Sequence, residues 1–353
     1  MKSALAKYGY INAKLRARIS KILSEDFLHR MVRSASLSEA VSLLMDTDFA
    51  PAAEAYNRTG DLKTAELELL KQEVSLLADV GAQVAGDVES FVSALALRYE
   101  VANLKNALRL WFDRVVRGRN IQAAVGYLYR RRIVHDLDLD AVVNADSLEV
   151  VVEVLQSTPY ARVLAEQSER FHSMESVFPL EVALDHTYYG RLLAEIRELS
   201  PKDRKTAGRM IGVEIDIMNI HWMLRFKTYS GFGVAEALRY AIPHGYGIEE
   251  NELRSAFESP VEAIDSLVKS RYGALRPLLS AEGSDSTSRM VMLEHILEEI
   301  LLWEVRRILA GYPFTIGIIL AYFVLKRAEI RRVMTILNAK YYALPEERIA
   351  SVL

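Results

Sequence analysis

The sequence has 353 residues, 51 % hydrophobic and 26 % charged, with a formal net charge of −3. That length admits two or three domains or one large one, and the charge argues against a dedicated binder of nucleic acid or acidic membranes, leaving local patches open. With no cysteine there are no disulfides, Cys-type zinc sites or thiol catalysis, and only 9 Pro and 17 Gly favour helix throughout.

The chain opens on MKSALAKYGYINAKLRAR, basic and helix-like, without the apolar core segment a signal peptide carries. Within it Ile11, Leu15, Arg16 and Arg18 fall at helical spacing. Leu44–x4–Phe49 and Glu66–x–x–Leu69 follow, and then YEVANLKNALR at 99–109, with Glu100, Asn103, Leu104, Leu108 and Arg109. RVVRGRN, near 115–120, interrupts the helical pattern and lies among Arg114, Arg117 and Arg119; a second basic cluster, Arg130 to Arg132, is flanked by Tyr127 and Tyr129.

HDLDLD (His135–Asp140) sets three aspartates at alternate positions. That spacing aligns them on a strand but spreads them over about 200° of a helix, so a turn supplying helix caps fits better than a helical metal motif. Leu155–x4–Tyr160 and Glu181–x–x–Leu184 lead to IDIMNIHWMLR at 215–225, with Asp216, Asn219, Ile220, Leu224 and Arg225. TYSGFG (228–233) is a break, and Leu267–x4–Tyr272 precedes the polar run AEGSDSTS (281–288), where a Ser or Asp cap predicts a helix restarting near Met290. Glu294–x–x–Leu297 comes next. The most apolar run, FTIGIILAYFVL, is 12 residues long; as a helix it rises about 18 Å, short of a ~30 Å hydrocarbon core, and is expected to be a buried helix. Glu329, Arg332, Val333, Leu337 and Asn338 close the series.

These landmarks share a period. The motif leucines stand at 15, 108, 224 and 337, the Leu–x4–aromatic pairs step by 111 and 112, and the Glu–x–x–Leu pairs by 115 and 113. The distances from that Glu to the following motif Leu are 42, 43 and 43. The expectation is an all-α chain of three similar helical units in tandem, 1–116, 117–229 and 230–353. A period this long is not that of a thin solenoid, whose units run to about 20–50 residues.

On a helix the acid, the Asn, the aliphatic residue and the Leu lie at about 0°, −60°, 40° and 80°, one face, while the Arg points the opposite way. Ala107, Met223 and Ile336 fall on the same face. Two readings compete: acid and Asn satisfy each other or a neighbouring helix's free backbone group, or the acid is a functional carboxylate. Repetition in three units favours the first.

Little else carries chemistry. There is no G-x-x-x-x-G-K-[ST] and no H-E-x-x-H, and the seven histidines never fall at i,i+4. The arginine clusters read first as solvated faces, then as a docking surface for an acidic protein, and last as an RNA contact.

Pro313-Phe314, Gly317, Ala321-Tyr322, Lys326 to Arg331 with Glu329 among them, Ile336-Leu337, Lys340, Leu344-Pro345 and Ile349 resemble the C-terminal signature of the C-type stalk component of archaeal and bacterial A/V-type ATPases, the counterpart of the d component of eukaryotic vacuolar ATPases. Glu181, Leu184-Asp185, Tyr188-Tyr189 and Leu192, then Asp216, Asn219-Ile220, Leu224-Arg225 and Lys227, resemble it too, as does the Tyr8–Arg18 opening. The resemblance covers essentially the whole chain and is most specific over 178–228 and 312–349. Asn338 departs from the Arg of two earlier copies, and Trp111 stands where other units have Arg18, Lys227 and Lys340.

The resemblance implies a helical funnel of three units around a pseudo-threefold axis. It implies a non-catalytic central-stalk subunit without cofactors, peripheral on the cytoplasmic face of the membrane. Such a socket seats on the membrane rotor ring, receives the central shaft of the ATPase head, and transmits rotation between ATP turnover and proton or sodium transport. Arg109, Arg225, Arg114, Arg117 and Arg119 are then candidate partner contacts, with no nucleic acid involved. The alternatives are a helical adaptor for an unrelated cytosolic partner and, behind it, a helical enzyme using the Asp-rich segment.

Overall fold

The computed structural model describes residues 4–227, 233–260, 262–273 and 286–350. Among them every regular element is helical, in agreement with the all-α expectation. In chain order these are α1 (Ala4–Ile19), α2 (Glu25–Arg33), α3 (Leu37–Leu43), a short 3₁₀ turn (Leu44–Asp46), α4 (Ala50–Thr59), α5 (Leu62–Gly81), α6 (Asp87–Val115), α7 (Gln122–Val125), α8 (Leu139–Asn144), α9 (Leu148–Val154), α10 (Tyr160–Ala165), α11 (Ser168–Met174) and α12 (Phe178–Glu198). They continue as α13 (Pro201–Arg225), α14 (Val234–Arg239), α15 (Glu250–Glu258), α16 (Glu262–Tyr272), α17 (Ser286–Ala310), α18 (Gly317–Tyr341) and α19 (Glu346–Ala350).

The chain divides into two compact units. One comprises Met1–His29, Leu199–Thr335 and Leu344–Leu353, the other Arg30–Glu198 and Ile336–Ala343. This division follows packing density, whereas the period of about 113 residues is a property of sequence, and the two partitions differ.

In the unit built on Arg30–Glu198, α6 packs against α5, α8 and α12. It buries Val88, Phe91, Leu95, Tyr99, Asn103, Ala107 and Trp111, a run at three- and four-residue spacing that keeps one face in the core. Trp111 and Phe112 close on Phe171 of α11, at centroid distances of 5.4 and 6.0 Å. Asp61 caps α5 by accepting the Lys63 N–H at 2.9 Å. After α6, RVVRGRN does break the helix: α6 ends at Val115 and Gly118 turns the chain with φ +62°.

In the other unit α13 packs against α15 and α17. Ser200 and Pro201 start α13, and Asp203 in its first turn takes the Tyr8 hydroxyl at 2.8 Å and the Ile316 N–H at 2.9 Å. Further along, Arg209 forks onto buried Glu304 of α17 at 2.9 and 2.5 Å. The apolar run 314–325 enters α18, where Ile318 to Val324 are buried as expected. Among the described residues no helix is long and apolar enough to cross a membrane. The helix predicted to restart near Met290 begins four residues earlier, at Ser286. Residues 281–285 of that polar run, and 228–232 of TYSGFG, lie outside the described residues.

Candidate functional site

The repeated phrase lies on α6, α13 and α18, and its second half on α1. Its inward face is the predicted one: Leu15, Leu108, Leu224 and Leu337 are buried, with Ala107, Met223 and Ile336 beside them. The acids are buried too, Glu100 and Asp216 at 1 % exposure and Glu329 at 4 %. A charge so deep must be answered by donors.

The donors come largely from backbone. Glu100 accepts the N–H groups of Val134 (2.7 Å) and His135 (2.6 Å) on Oε2, and His135 Nδ1 and the Tyr160 hydroxyl on Oε1. Asp216 accepts the N–H groups of Tyr246 (3.2 Å) and Gly247 (2.7 Å) and the Tyr272 hydroxyl at 2.5 Å, all on Oδ2. Glu329 accepts the Leu23 N–H at 2.7 Å and the Lys326 ammonium at 2.8 Å. Burial and the adjoining carboxylate push the Tyr160 and Tyr272 hydroxyls far up, so both stay protonated and donate. Tyr160 and Tyr272 are the aromatic landmarks of the period. Sequence reasoning misses their role, although their common spacing is its signal.

The asparagines do the same work. Asn103 donates to the Tyr129 carbonyl at 2.6 Å and accepts its N–H at 3.1 Å. Asn219 donates to the Ile242 carbonyl at 2.9 Å and accepts its N–H at 2.8 Å. Acid and Asn therefore hold the free backbone of a neighbouring segment, which is one branch of the structural reading. Asp216 is so close to its segment that a Cβ on Gly245 would stand 1.9 Å from Oδ1.

Two further positions repeat. Lys227 donates to the carbonyls of Phe257 and Ser259, and Lys340 to that of Ser34 at 2.6 Å. Trp111, at the same register, donates its indole N–H to the Ala145 carbonyl at 2.9 Å, so the departure in residue type keeps the bond. Arg109 meets Glu181, a landmark Glu, at 2.5 Å, and Asn338 meets Glu66, another, at 3.5 Å. The side chains of Arg225 and Glu294 lie outside the described residues. Arg16, exposed on α1, donates to Asn12 Oδ1 and to the Leu309 carbonyl, each at 3.2 Å.

The remaining arginines separate. Arg114 turns inward onto the carbonyls of Val143 (2.9 Å) and Ala145. Arg117 and Arg119 share Asp113 at 2.9 and 3.5 Å and remain 53 % and 63 % exposed. In HDLDLD, His135 goes to Glu100, Asp138 caps α8 through the Ala141 N–H at 2.9 Å, and Asp140 pairs with Arg130 at 2.8 Å. Among the described residues no three His, Asp or Glu side chains converge as a metal would require.

Comparison with known families gives this scaffold a place. A model described as ATP synthase (C/AC39) subunit matches residues 11–352. The chain belongs to that family. Its relatives named as the C subunits of A-type ATP synthases include a protein of Methanosphaera stadtmanae, 26 % identical over 336 residues that span 94 % of this chain and 84 % of that one. That of Methanocaldococcus jannaschii is 24 % identical over 99 % of this chain and 86 % of its own. For Haloferax volcanii the figures are 23 %, 98 % and 96 %. In this C/AC39 chain the matched span takes in all of α6 and α13, all of α18, and α1 from Ile11 onward, so every backbone-holding position described above lies within the family match.

Proposed function

We propose that this chain is a non-catalytic central-stalk subunit of a rotary A-type ATP synthase or V-type ATPase. In this reading it is the socket between the central shaft of the ATPase head and the membrane rotor ring, on the cytoplasmic face of the membrane, and it transmits rotation between ATP turnover and proton or sodium transport. The observation that carries the reading is the family match over residues 11–352, joined to relatives named as C subunits of A-type ATP synthases.

The chemistry of the repeated helix supports it. The three buried acids, where a catalytic group would be sought, accept bonds from backbone and from neighbouring side chains. In this reading the chain is three repeats, 1–116, 117–229 and 230–353, arranged as a funnel around a pseudo-threefold axis, and the order of those bonds supports the repeats. Glu100 of the first holds Val134 of the second, Asp216 of the second holds Gly247 of the third, and Glu329 of the third holds Leu23 of the first. A cyclic order of that kind suits a part that carries load evenly about an axis.

To carry torque, the surfaces toward ring and shaft need stable-interface dimensions, above about 2,000 Å² in total. Arg117 and Arg119, exposed and sharing one carboxylate, and Arg109, as exposed as Arg117 and paired with Glu181, are candidates to contribute; Arg225 is a candidate by its sequence position. The test is reconstitution: membrane ring and ATPase head with its shaft, mixed with and without this chain, scored for assembly and ATP-driven ion pumping. Hydrolysis by the head alone, with assembly and pumping only when the chain is added, is the expected result. Equal assembly and pumping without it would overturn the reading.

A further inference from the structure

The three backbone-holding joints are not closed in the same way. At the first two, the buried amides of Asn103 and Asn219 take both backbone groups of one residue. At the third, the Asn position is Arg332, which forks onto Glu25 at 2.6 and 2.5 Å. Those side chains are 26 % and 64 % exposed. The acids differ as well. Glu100 and Asp216 each gain a tyrosine hydroxyl from a distant segment, 60 and 56 residues on, whereas Glu329 gains Lys326 from its own helix, three residues away. Each of the last two joints leaves one buried polar atom without a hydrogen-bond partner, Asp216 Oδ1 at the second and Arg332 Nε at the third, where it belongs to the ion pair itself.

We propose that the strap Ser20–Ser24, with Glu25 behind it, is a latch: the joint that opens and re-forms in the native protein while the Asn103 and Asn219 joints stay shut. An ion pair with an exposed carboxylate weakens as molar salt shortens the screening length from about 10 Å to about 3 Å, and it has long side chains to immobilise, whereas a buried amide-to-backbone pair has neither weakness. Opening is confined to the strap, because α1 before it stays anchored by Tyr8 on Asp203 (2.8 Å) and Arg16 on the Leu309 carbonyl (3.2 Å). The segment thereby joins the low-stability end of the molecule, where functional motions are drawn. This inference stands independently of the rotor assignment.

Hydrogen–deuterium exchange on the full chain tests it, at fixed pH in low and in molar salt. The expected result is a strap peptide containing the Leu23 amide that exchanges about two- to five-fold faster in high salt, as the worth of an exposed pair implies. Peptides containing the Tyr129 and Ile242 amides hold their rates. Glu25→Gln, at an exposed position that folding tolerates, brings the faster exchange into low salt and removes the salt response. A strap indifferent to salt in the unaltered chain, or three joints accelerating together, would overturn the latch.

Discussion

Asn219 holds Ile242 by both of its backbone groups at once, at 2.9 and 2.8 Å. Asn219→Leu keeps the volume and strips both bonds, leaving a buried donor and a buried acceptor unpaired at about 1–3 kcal/mol each. We expect a loss of about 3 kcal/mol in unfolding free energy, read as a lower denaturant midpoint at unchanged slope. Asn219→Asp is expected to cost no less, since a carboxylate cannot donate to the Ile242 carbonyl. A change within about 0.5 kcal/mol, the range of ordinary surface substitutions, would remove the joint as a source of stability.

Gly245 and Asp216 form a pair whose coupling is measurable. A methyl on Gly245 would meet Asp216 Oδ1 at 1.9 Å, so Gly245→Ala forces apart a helix and the segment it holds, at about 1–3 kcal/mol. Asp216→Ala makes room for that methyl but deprives Tyr246 and Gly247 of their acceptor. In the double variant the Gly245 change becomes nearly free, a coupling of about 1 kcal/mol or more in a double-mutant cycle. Additive single costs would sink this account.

At position 111 the donated N–H and the ring can be separated. Trp111→Phe loses the bond to Ala145 but keeps packing on Phe171, and Arg114 still donates to that carbonyl; the expected cost is about 1 kcal/mol. Trp111→Lys restores the residue type of the other copies yet empties the ring's site, and is expected to cost about 3–5 kcal/mol, as for loss of a large aromatic. A thermal midpoint for Trp111→Lys above that of Trp111→Phe would mean that position 111 asks chiefly for a donor.

Two carboxyls pull stability in opposite directions with pH. Hydrogen bonding to Arg332 holds Glu25 below its usual 4.5, so the unfolded chain binds the proton more readily. The stability Glu25 contributes is therefore complete above the unfolded value and lost as pH falls through the folded one. Burial pushes Asp216 above its usual 3.8, against the Tyr272 hydroxyl and the backbone N–H groups that favour the charge. Here the folded chain keeps the proton longer, and stability falls as pH rises through that window. Denaturation curves at stepped pH are expected to show a shallower acid limb in Glu25→Gln, and a steeper rise of stability with pH in Asp216→Asn. Parallel pH profiles for all three proteins would count against both assignments.

Arg109 poses a choice between a bond within the chain and a bond to a partner. Its pair with Glu181 is 53 % exposed on the arginine side, where ion pairs contribute about 0–1 kcal/mol. Arg109→Glu should lower the melting temperature slightly, and Arg109→Glu with Glu181→Arg should restore it. Under the proposed stalk reading, assembly with a membrane rotor ring in the swapped protein decides the rest: intact assembly confines Arg109 to a structural role, and lost assembly makes it a partner contact.

The helical faces are legible in the sequence because they rest on local geometry. A stripe of Leu, Ala or Met at helical spacing can be read from one segment, and Leu108, Leu224 and Leu337 lie where the spacing puts them. The burial of the acid and the Asn is legible for the same reason. Their partners are not: Tyr129, Ile242 and Leu23 are met through backbone groups, which every residue but proline carries, so no side-chain pattern marks them. Trp111 is hidden differently, because an indole and an ammonium share only the ability to donate. Tyr160 and Tyr272 are within reach of sequence reasoning, since a hydroxyl recurring at the register of a recurring acid is a pairing signal. Phe49, at the same register, has no hydroxyl to offer.

A grip on main-chain atoms is blind to the side chain above them. Tyr129 and Ile242 share neither polarity nor shape, yet each is held by the same two bonds from an asparagine. The side chain of a gripped residue is thus free to change within its buried site while the gripping helix is not, and only a close approach such as Gly245 on Asp216 fixes a residue of the segment. A chain built this way can lose nearly all likeness among its own parts and still close, provided a few inward positions on three helices stay put. Likeness surviving as scattered single letters along the whole length, rather than as blocks, is the trace such an architecture leaves.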